Sequence, residues 1–124
     1  PVNEQRTIAT EAARTHIDPN FLAALRKTEN GGPGREFGVL SVPAPTYKDQ
    51  ARVAADSVRR SIERFEKKTG RTAIDSTTGI YNPEFIQFFS NRYAPVGATN
   101  DPKHLNQYHA RNLIRLYTQL ADQG

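Results

Sequence analysis

Cysteine and tryptophan are among the residue types missing from this sequence, and each of these two absences excludes something. Without cysteine, neither a disulfide nor a thiolate metal site can form, so packing alone must hold the fold. Without tryptophan, the five tyrosines and six phenylalanines would have to supply any stacking on sugar rings. No apolar run approaches the roughly 20 residues of a membrane-spanning helix, so we predict no membrane span.

The length and the charge set further bounds. At 124 residues the chain predicts a single domain over 1–124, without repeats or low-complexity tracts. No signal-peptide pattern opens it, and Pro1 in place of methionine indicates a lost initiator or a domain cut from a longer chain. The net charge of +4 fits an anionic partner, either nucleic acid or a bacterial envelope rich in phosphate and carboxylate polymers.

The stretch over residues 17–32 organises the rest of the chain. Asp18-Pro19 is a helix start, because aspartate caps the free N–H groups and proline suits the first helical position. Apolar residues between 21 and 25 recur at helical spacing, and Asn30-Gly31-Gly32 is a stop signal. Glu29 is therefore predicted to be the last residue of a half-buried helix that faces a glycine loop.

Glu29 has an unusual position for a carboxylate. The end of a helix carries partial negative charge, which disfavours the anion, and apolar neighbours would disfavour it further. A carboxylic acid that stays protonated near neutral pH is what a glycosidase needs to protonate a departing sugar oxygen. The alternative interpretation is an ordinary solvated glutamate at the end of a helix.

The run from Asp18-Pro19 to Glu29 resembles the catalytic-helix motif of the lysozyme-like superfamily. It is similar to soluble lytic transglycosylases, which read roughly DPxLLxAxxxxES, and to phage muramidase and glucosaminidase domains. In this resemblance Glu29 matches the general acid, and Asn30 stands where serine is more usual. A GLMQ segment that lines the cleft follows in the family. Here Gly38-Val39-Leu40-Ser41 comes sooner and has Ser41 in place of glutamine.

The remaining helices follow from capping and apolar spacing. We predict an alanine-rich helix over 3–16, a short extended segment over 37–42, and a helix from Thr46 to about Thr69. A helix with a phenylalanine-rich face begins at Asn82-Pro83 and ends at Tyr93. The last helix is predicted from about residue 102 or 103 to 121, with five residues inward: Leu105, Tyr108, Leu113, Leu116 and Leu120. His104 and His109 match no zinc-ligand spacing.

The predicted architecture is mainly α, a compact lysozyme-like single domain of about five helices with one short extended segment. The resemblance implies cleavage of the β-1,4 glycosidic bond of peptidoglycan with Glu29 as the acid. It leaves open hydrolase or transglycosylase, because no second carboxylate stands out among Glu36, Asp49, Asp75 and Asp101. The candidates for contacting substrate are Asn30, Ser41, Tyr47, Tyr81, Asn82 and Tyr93.

Two other classes of function remain open at this stage. A basic face over residues 52–71 would suit nucleic acid, with a salt-sensitive affinity, although no helix-turn-helix pairing supports it. A lysozyme-like domain without activity would instead serve as a structural or envelope-binding part of a phage particle or secretion machine. We expect peptidoglycan as the partner, no nucleic acid and no cofactor. We expect the protein to act at the bacterial cell wall, which it would reach either as part of a phage or after release from the cytoplasm.

Overall fold

Five α-helices and one short 3₁₀ helix make up the part of the fold that the structure describes. The structure, a computed structural model, describes residues 2–40, 42–99 and 101–123. The helices are α1 (Val2–Thr15), α2 (Pro19–Glu29), α3 (Tyr47–Thr69), α4 (Pro83–Tyr93) and α5 (His109–Gln123), and the 3₁₀ helix is Leu105–Tyr108. The chain is mainly helical in a compact single domain, as the sequence predicts. None of the described helices combines the length and apolar character that a membrane crossing requires.

Helix α2 begins and ends where the sequence predicts. A side-chain oxygen of Asp18 accepts a hydrogen bond from the N–H of Asn20 at 2.9 Å, and Pro19 is the first helical residue. At the other end Asn30 adopts a left-handed conformation with φ of 46°, and its N–H donates to the carbonyl of Arg26. Glu29 is therefore fixed at the last helical position.

The centre of the core is an aromatic cluster around Phe21, which is fully buried on α2. The rings of Tyr81, Phe85, Phe89 and Tyr117 lie with their centroids 5.1 to 6.2 Å from that of Phe21, three of them edge to face. They come from α4, α5 and the segment before α4, so α2 packs against all three of these parts of the chain.

Tyr117 also links the two ends of the chain through a hydrogen bond. Its hydroxyl donates to a carboxylate oxygen of Asp18 at 2.6 Å, and Asp18 is the residue that caps α2. The same hydroxyl accepts from the backbone N–H of Tyr81 at 3.1 Å. Burial raises the pKa of Tyr117, so the phenol stays protonated and keeps donating. Helix α5 thus contributes directly to the start of α2.

The segment predicted as extended is not paired as a strand. Gly38 turns it with φ of 70°, and the only bridge among the described residues joins Ile74 to Tyr81. Gln50 of α3 holds the segment instead, with a side chain that is fully buried. Its amide oxygen accepts from the N–H groups of Phe37 and Val39, and its amide nitrogen donates to the carbonyls of Val39 and Ala44. One side chain therefore fixes the path of residues 37–44.

The prediction for the last helix is wrong at its start. Helix α5 begins at His109, while Leu105 and Tyr108 lie in the 3₁₀ helix and are 61% and 41% exposed. The reason is Asp101, whose carboxylate accepts three N–H groups of the preceding and following turns: Gly97, Leu105 and Asn106. Burial opposes ionisation there, but these donors together hold the pKa of Asp101 below its usual value.

Candidate active site

Glu29 lies in a half-buried position at the end of α2. Its side chain is 19% exposed, and one carboxylate oxygen, Oε2, lies 2.6 Å from Nε2 of His109. Gly38 packs against the carboxylate on another side, so closely that a Cβ on that residue would overlap Oε1. The carboxyl group is therefore positioned by a histidine and by a glycine backbone, and it keeps some access to solvent.

His109 lies between Glu29 and Ser90. Its ring is nearly buried at 6% exposure, and Nδ1 lies 2.8 Å from the Ser90 hydroxyl. If the serine donates to Nδ1, then Nε2–H donates to a Glu29 carboxylate. If Nδ1–H donates to the serine, then Nε2 accepts from a protonated Glu29. In both arrangements the two ring nitrogens of His109 are hydrogen-bonded, one to Ser90 and the other to Glu29.

Serine, histidine and glutamate in a row also suggest a nucleophilic serine, but the burial argues against one. Ser90 is only 3% exposed and belongs to α4, whereas the side chain of Glu29 is 19% exposed. A nucleophile must reach its substrate, whereas this hydroxyl can reach only the histidine ring. Of the three hydrogen-bonded residues, Glu29 is the one with solvent access, and Ser90 orients His109.

A cleft of about 630 Å³ adjoins the site, although Glu29 itself is not among the residues that line it. Gly38 and Tyr93 line it, and both are close to Glu29: the glycine packs on the carboxylate, and the Glu29 charge acts on the tyrosine. The other walls come from α3, α4 and two loops. The remaining lining residues are Val39, Leu40, Val53, Ser57, Arg60, Ser61, Arg64, Phe89, Arg92, Ala98 and Thr99.

Tyr93 is the predicted substrate-contact residue that lies in this cleft. Its hydroxyl donates to the carbonyl of Phe37 at 2.5 Å, which ties the end of α4 to the loop that carries Gly38. Burial, and secondarily the charge of Glu29, raise the pKa of Tyr93. The ring can therefore offer an apolar face to a ligand, while the hydroxyl is used within the protein.

The structure places the other predicted contact residues elsewhere. Tyr47 is half-buried against Phe37, and burial raises the pKa of its phenol. Tyr81 is in the aromatic core, where its hydroxyl accepts from the N–H of Asp18 at 2.9 Å. Neither tyrosine lines the cleft, and neither do the two asparagines predicted to contact substrate. Asn82 caps α4 through the N–H of Phe85, and Asn30 ends α2. Ser41 lies outside the described residues.

Each of the four carboxylates considered as a second catalytic group has a local role. Glu36 accepts from the N–H of Gly34, and Asp75 accepts from the N–H groups of the next turn. Asp49 pairs with Arg52, and Asp101 accepts from the N–H groups of Leu105 and Asn106. None of these four carboxylates lines the cleft. Among the residues that the structure describes, no three potential metal ligands lie close together.

His109 is the residue of the site that sequence reasoning missed. It lies four residues before Leu113 and eight before Tyr117, both of them buried, so it shares their helical face. That spacing is the signal that was available. The prediction weighed His109 only against zinc-ligand spacing and did not use its place on the inner face of the helix.

The contact between Gly38 and Glu29 gives a direct test of the site geometry. We expect Gly38→Ala to lose at least about 1 kcal/mol more unfolding free energy than a matched variant, since the added methyl group must push the carboxylate aside. The matched variant is Gly70→Ala, which has the same φ of 70° but open space around its Cβ. It should lose only the backbone strain, about 1–2 kcal/mol. Urea unfolding of both variants measures the difference, and equal losses would contradict the packing.

Comparisons with known proteins add no relative. No protein-family model, no curated protein and no solved structure matches the chain. The resemblance of residues 17–42 therefore depends on the motif itself, and the site must be interpreted from its own geometry.

Proposed function

We propose that this protein cleaves the β-1,4 glycosidic bond of peptidoglycan, with Glu29 as the general acid. The observation that carries the proposal is a partly exposed carboxyl group, 19% accessible, fixed at the end of α2 against Gly38, which lines a cleft of about 630 Å³. The volume of this cleft falls within the range of about 300–1,000 Å³ that is typical of ligand-binding pockets. The resemblance of Asp18-Pro19 through Glu29 to the lysozyme-like superfamily supports the same assignment.

The proposed reaction needs one carboxyl group. Glu29 gives its proton to the bridging oxygen, and the bond between that oxygen and C1 of the sugar breaks with oxocarbenium character at C1. The 6-hydroxyl of the same sugar then attacks C1 and returns its proton to the Glu29 carboxylate. The products are a new 4-hydroxyl end and an anhydro sugar, and Glu29 is restored to its acid form. Because each of the four candidate second carboxylates is engaged in a local contact, this route is favoured over attack by a water molecule that needs a second base.

His109 would act through Glu29 as a positioning residue. When Nε2–H donates to Oε2, that oxygen is held by the histidine, and the proton given to the substrate would be carried by Oε1, next to Gly38. Ser90 in turn fixes the ring of His109. Catalytic acids depend strongly on such orientation, since small displacements of the reacting group lower the rate steeply.

The test is turbidity loss of purified peptidoglycan, followed by mass spectrometry of the soluble products. Clearing with anhydro-sugar ends is the expected result and would identify a lytic transglycosylase. Reducing ends would keep glycan cleavage but replace the internal hydroxyl with water as the nucleophile. No clearing across several envelope types would reject the enzyme.

A second candidate is a lysozyme-like module without activity, part of a phage particle or secretion machine. One observation favours it: an oxygen of Glu29 is already bonded to His109 at 2.6 Å, as in a purely structural buried pair. This candidate predicts binding of the envelope without any change in the glycan products.

A further inference from the structure

Three arginines line the cleft beside Glu29. Arg60 and Arg64 lie one turn apart on α3, and Arg92 lies near the end of α4. We call these three residues the arginine cluster. Burial, and then the charges of Arg92 and Arg60, lower the pKa of Arg64, so the Arg64 guanidinium lies within the electrostatic reach of the other two.

The arginine cluster has neutral neighbours where charge compensation would be expected. Arg60 reaches the hydroxyl of Ser57 at 3.4 Å, and Arg64 reaches that of Ser61 at 3.0 Å. Within the described residues, none of the three forms an ion pair, and the cleft has no acidic lining residue. Positive charge gathered in this way is stabilised when an anion binds.

Other arginines on the same helix show the contrast. Arg52 pairs with Asp49 at 3.4 Å, and Arg59 donates to the backbone carbonyls of Thr15 and His16. These side chains are used within the protein, outside the cleft. The basic face predicted over residues 52–71 is therefore divided into arginines with partners in the fold and arginines that face an open cavity.

We propose that the arginine cluster binds the carboxylates of the peptide branches that peptidoglycan carries on its glycan strand. This inference rests on the proposed function, and it makes the preferred substrate a peptide-bearing strand. Guanidinium groups match carboxylates with two parallel hydrogen bonds, and the serine hydroxyls add donors. Three guanidinium groups on two helices suit a branch with several carboxylates better than the single carboxylate of a bare muramyl sugar.

Binding of soluble fragments tests the proposal without any turnover. The probes are a disaccharide tetrapeptide with free carboxylates, the same compound with its carboxylates amidated, and the peptide-free disaccharide with its single carboxylate. Calorimetry should show that the free-carboxylate form binds the protein at least about tenfold more tightly than either of the others. Glutamine variants of Arg60, Arg64 and Arg92 should lose that preference. Arg52→Gln, outside the cleft, should keep it.

Several results would overturn the inference. Equal affinity for the three probes would remove the carboxylate preference, and a preference that survives in the triple glutamine variant would place it elsewhere. Tighter binding of a short single-stranded DNA, lost in the same variant, would reassign the cleft to nucleic acid. Glycan cleavage is judged separately by the clearing assay, so a protein that binds the peptide branches but does not clear peptidoglycan would uphold the cluster and reject the enzyme.

Discussion

Replacing Glu29 by glutamine should lower the rate of peptidoglycan clearing by about 100-fold or more, which is the lower range of what a general acid contributes. The amide fills the same space and can still hydrogen-bond to His109, but it has no proton to give to the departing oxygen. The fold should be unaffected, because Glu29 ends α2 through its backbone and does not anchor the core. Initial rates of turbidity loss at equal protein concentration provide the measurement.

The matched control is Glu63→Gln, which makes the same chemical change at an exposed position of α3. It should clear peptidoglycan at the wild-type rate. Circular dichroism and a thermal melt must show that both variants fold. A Glu29→Gln protein that keeps most of the wild-type rate would refute the role of Glu29, and an unfolded variant would show that the residue is structural.

Replacing Gln50 by methionine should destabilise the protein by about 3–5 kcal/mol, since each of four hydrogen bonds contributes about 1 kcal/mol and their backbone partners are left without water. The change keeps an unbranched side chain of similar length, so the loss comes from hydrogen bonding and not from a cavity. Because Gln50 holds residues 37–44, the loop that carries Gly38 should also exchange its amide hydrogens faster. Equilibrium urea unfolding measures the first effect, and hydrogen exchange measures the second.

Gln87→Met is the control for that experiment. Gln87 is exposed on α4, and its amide bonds to Asn91 at the surface. Replacing Gln87 should change the free energy of unfolding by no more than about 0.5 kcal/mol, as is usual for surface substitutions. A Gln50 variant no less stable than this control would mean that the four hydrogen bonds contribute nothing net.

The fold was largely predictable because its helices are bounded by strong local signals. Asp18-Pro19 starts α2, Thr46 caps α3 through the N–H of Asp49, and Asn82-Pro83 starts α4. Each signal acts within three or four residues, so it can be read from a sequence without knowledge of the tertiary structure. The position of Glu29 at the end of a half-buried helix followed from such signals alone.

The site was less predictable because its contacts join distant segments. Glu29 and His109 are 80 residues apart, and Tyr93 meets Phe37 across 56 residues. No local pattern encodes such pairs. The start of α5 was missed for a related reason: Asp101 takes up the N–H groups of two turns, and this breaks the helical phase that apolar spacing suggested. Three of the predicted contact residues, Tyr47, Tyr81 and Asn82, bond or pack within the protein, which their residue types alone do not reveal.

The hydrogen bond between Tyr117 and Asp18 has a consequence for when the site can assemble during protein synthesis. A ribosome builds the chain from its amino end, so Glu29 is synthesised long before His109 and Tyr117, the residues that orient it and secure the cap of its helix. The carboxyl group therefore has neither support until α5 has been translated and has docked. Assembly of the site is in this way a late event in biosynthesis, and a nascent chain that stops short of α5 carries Glu29 without its histidine partner.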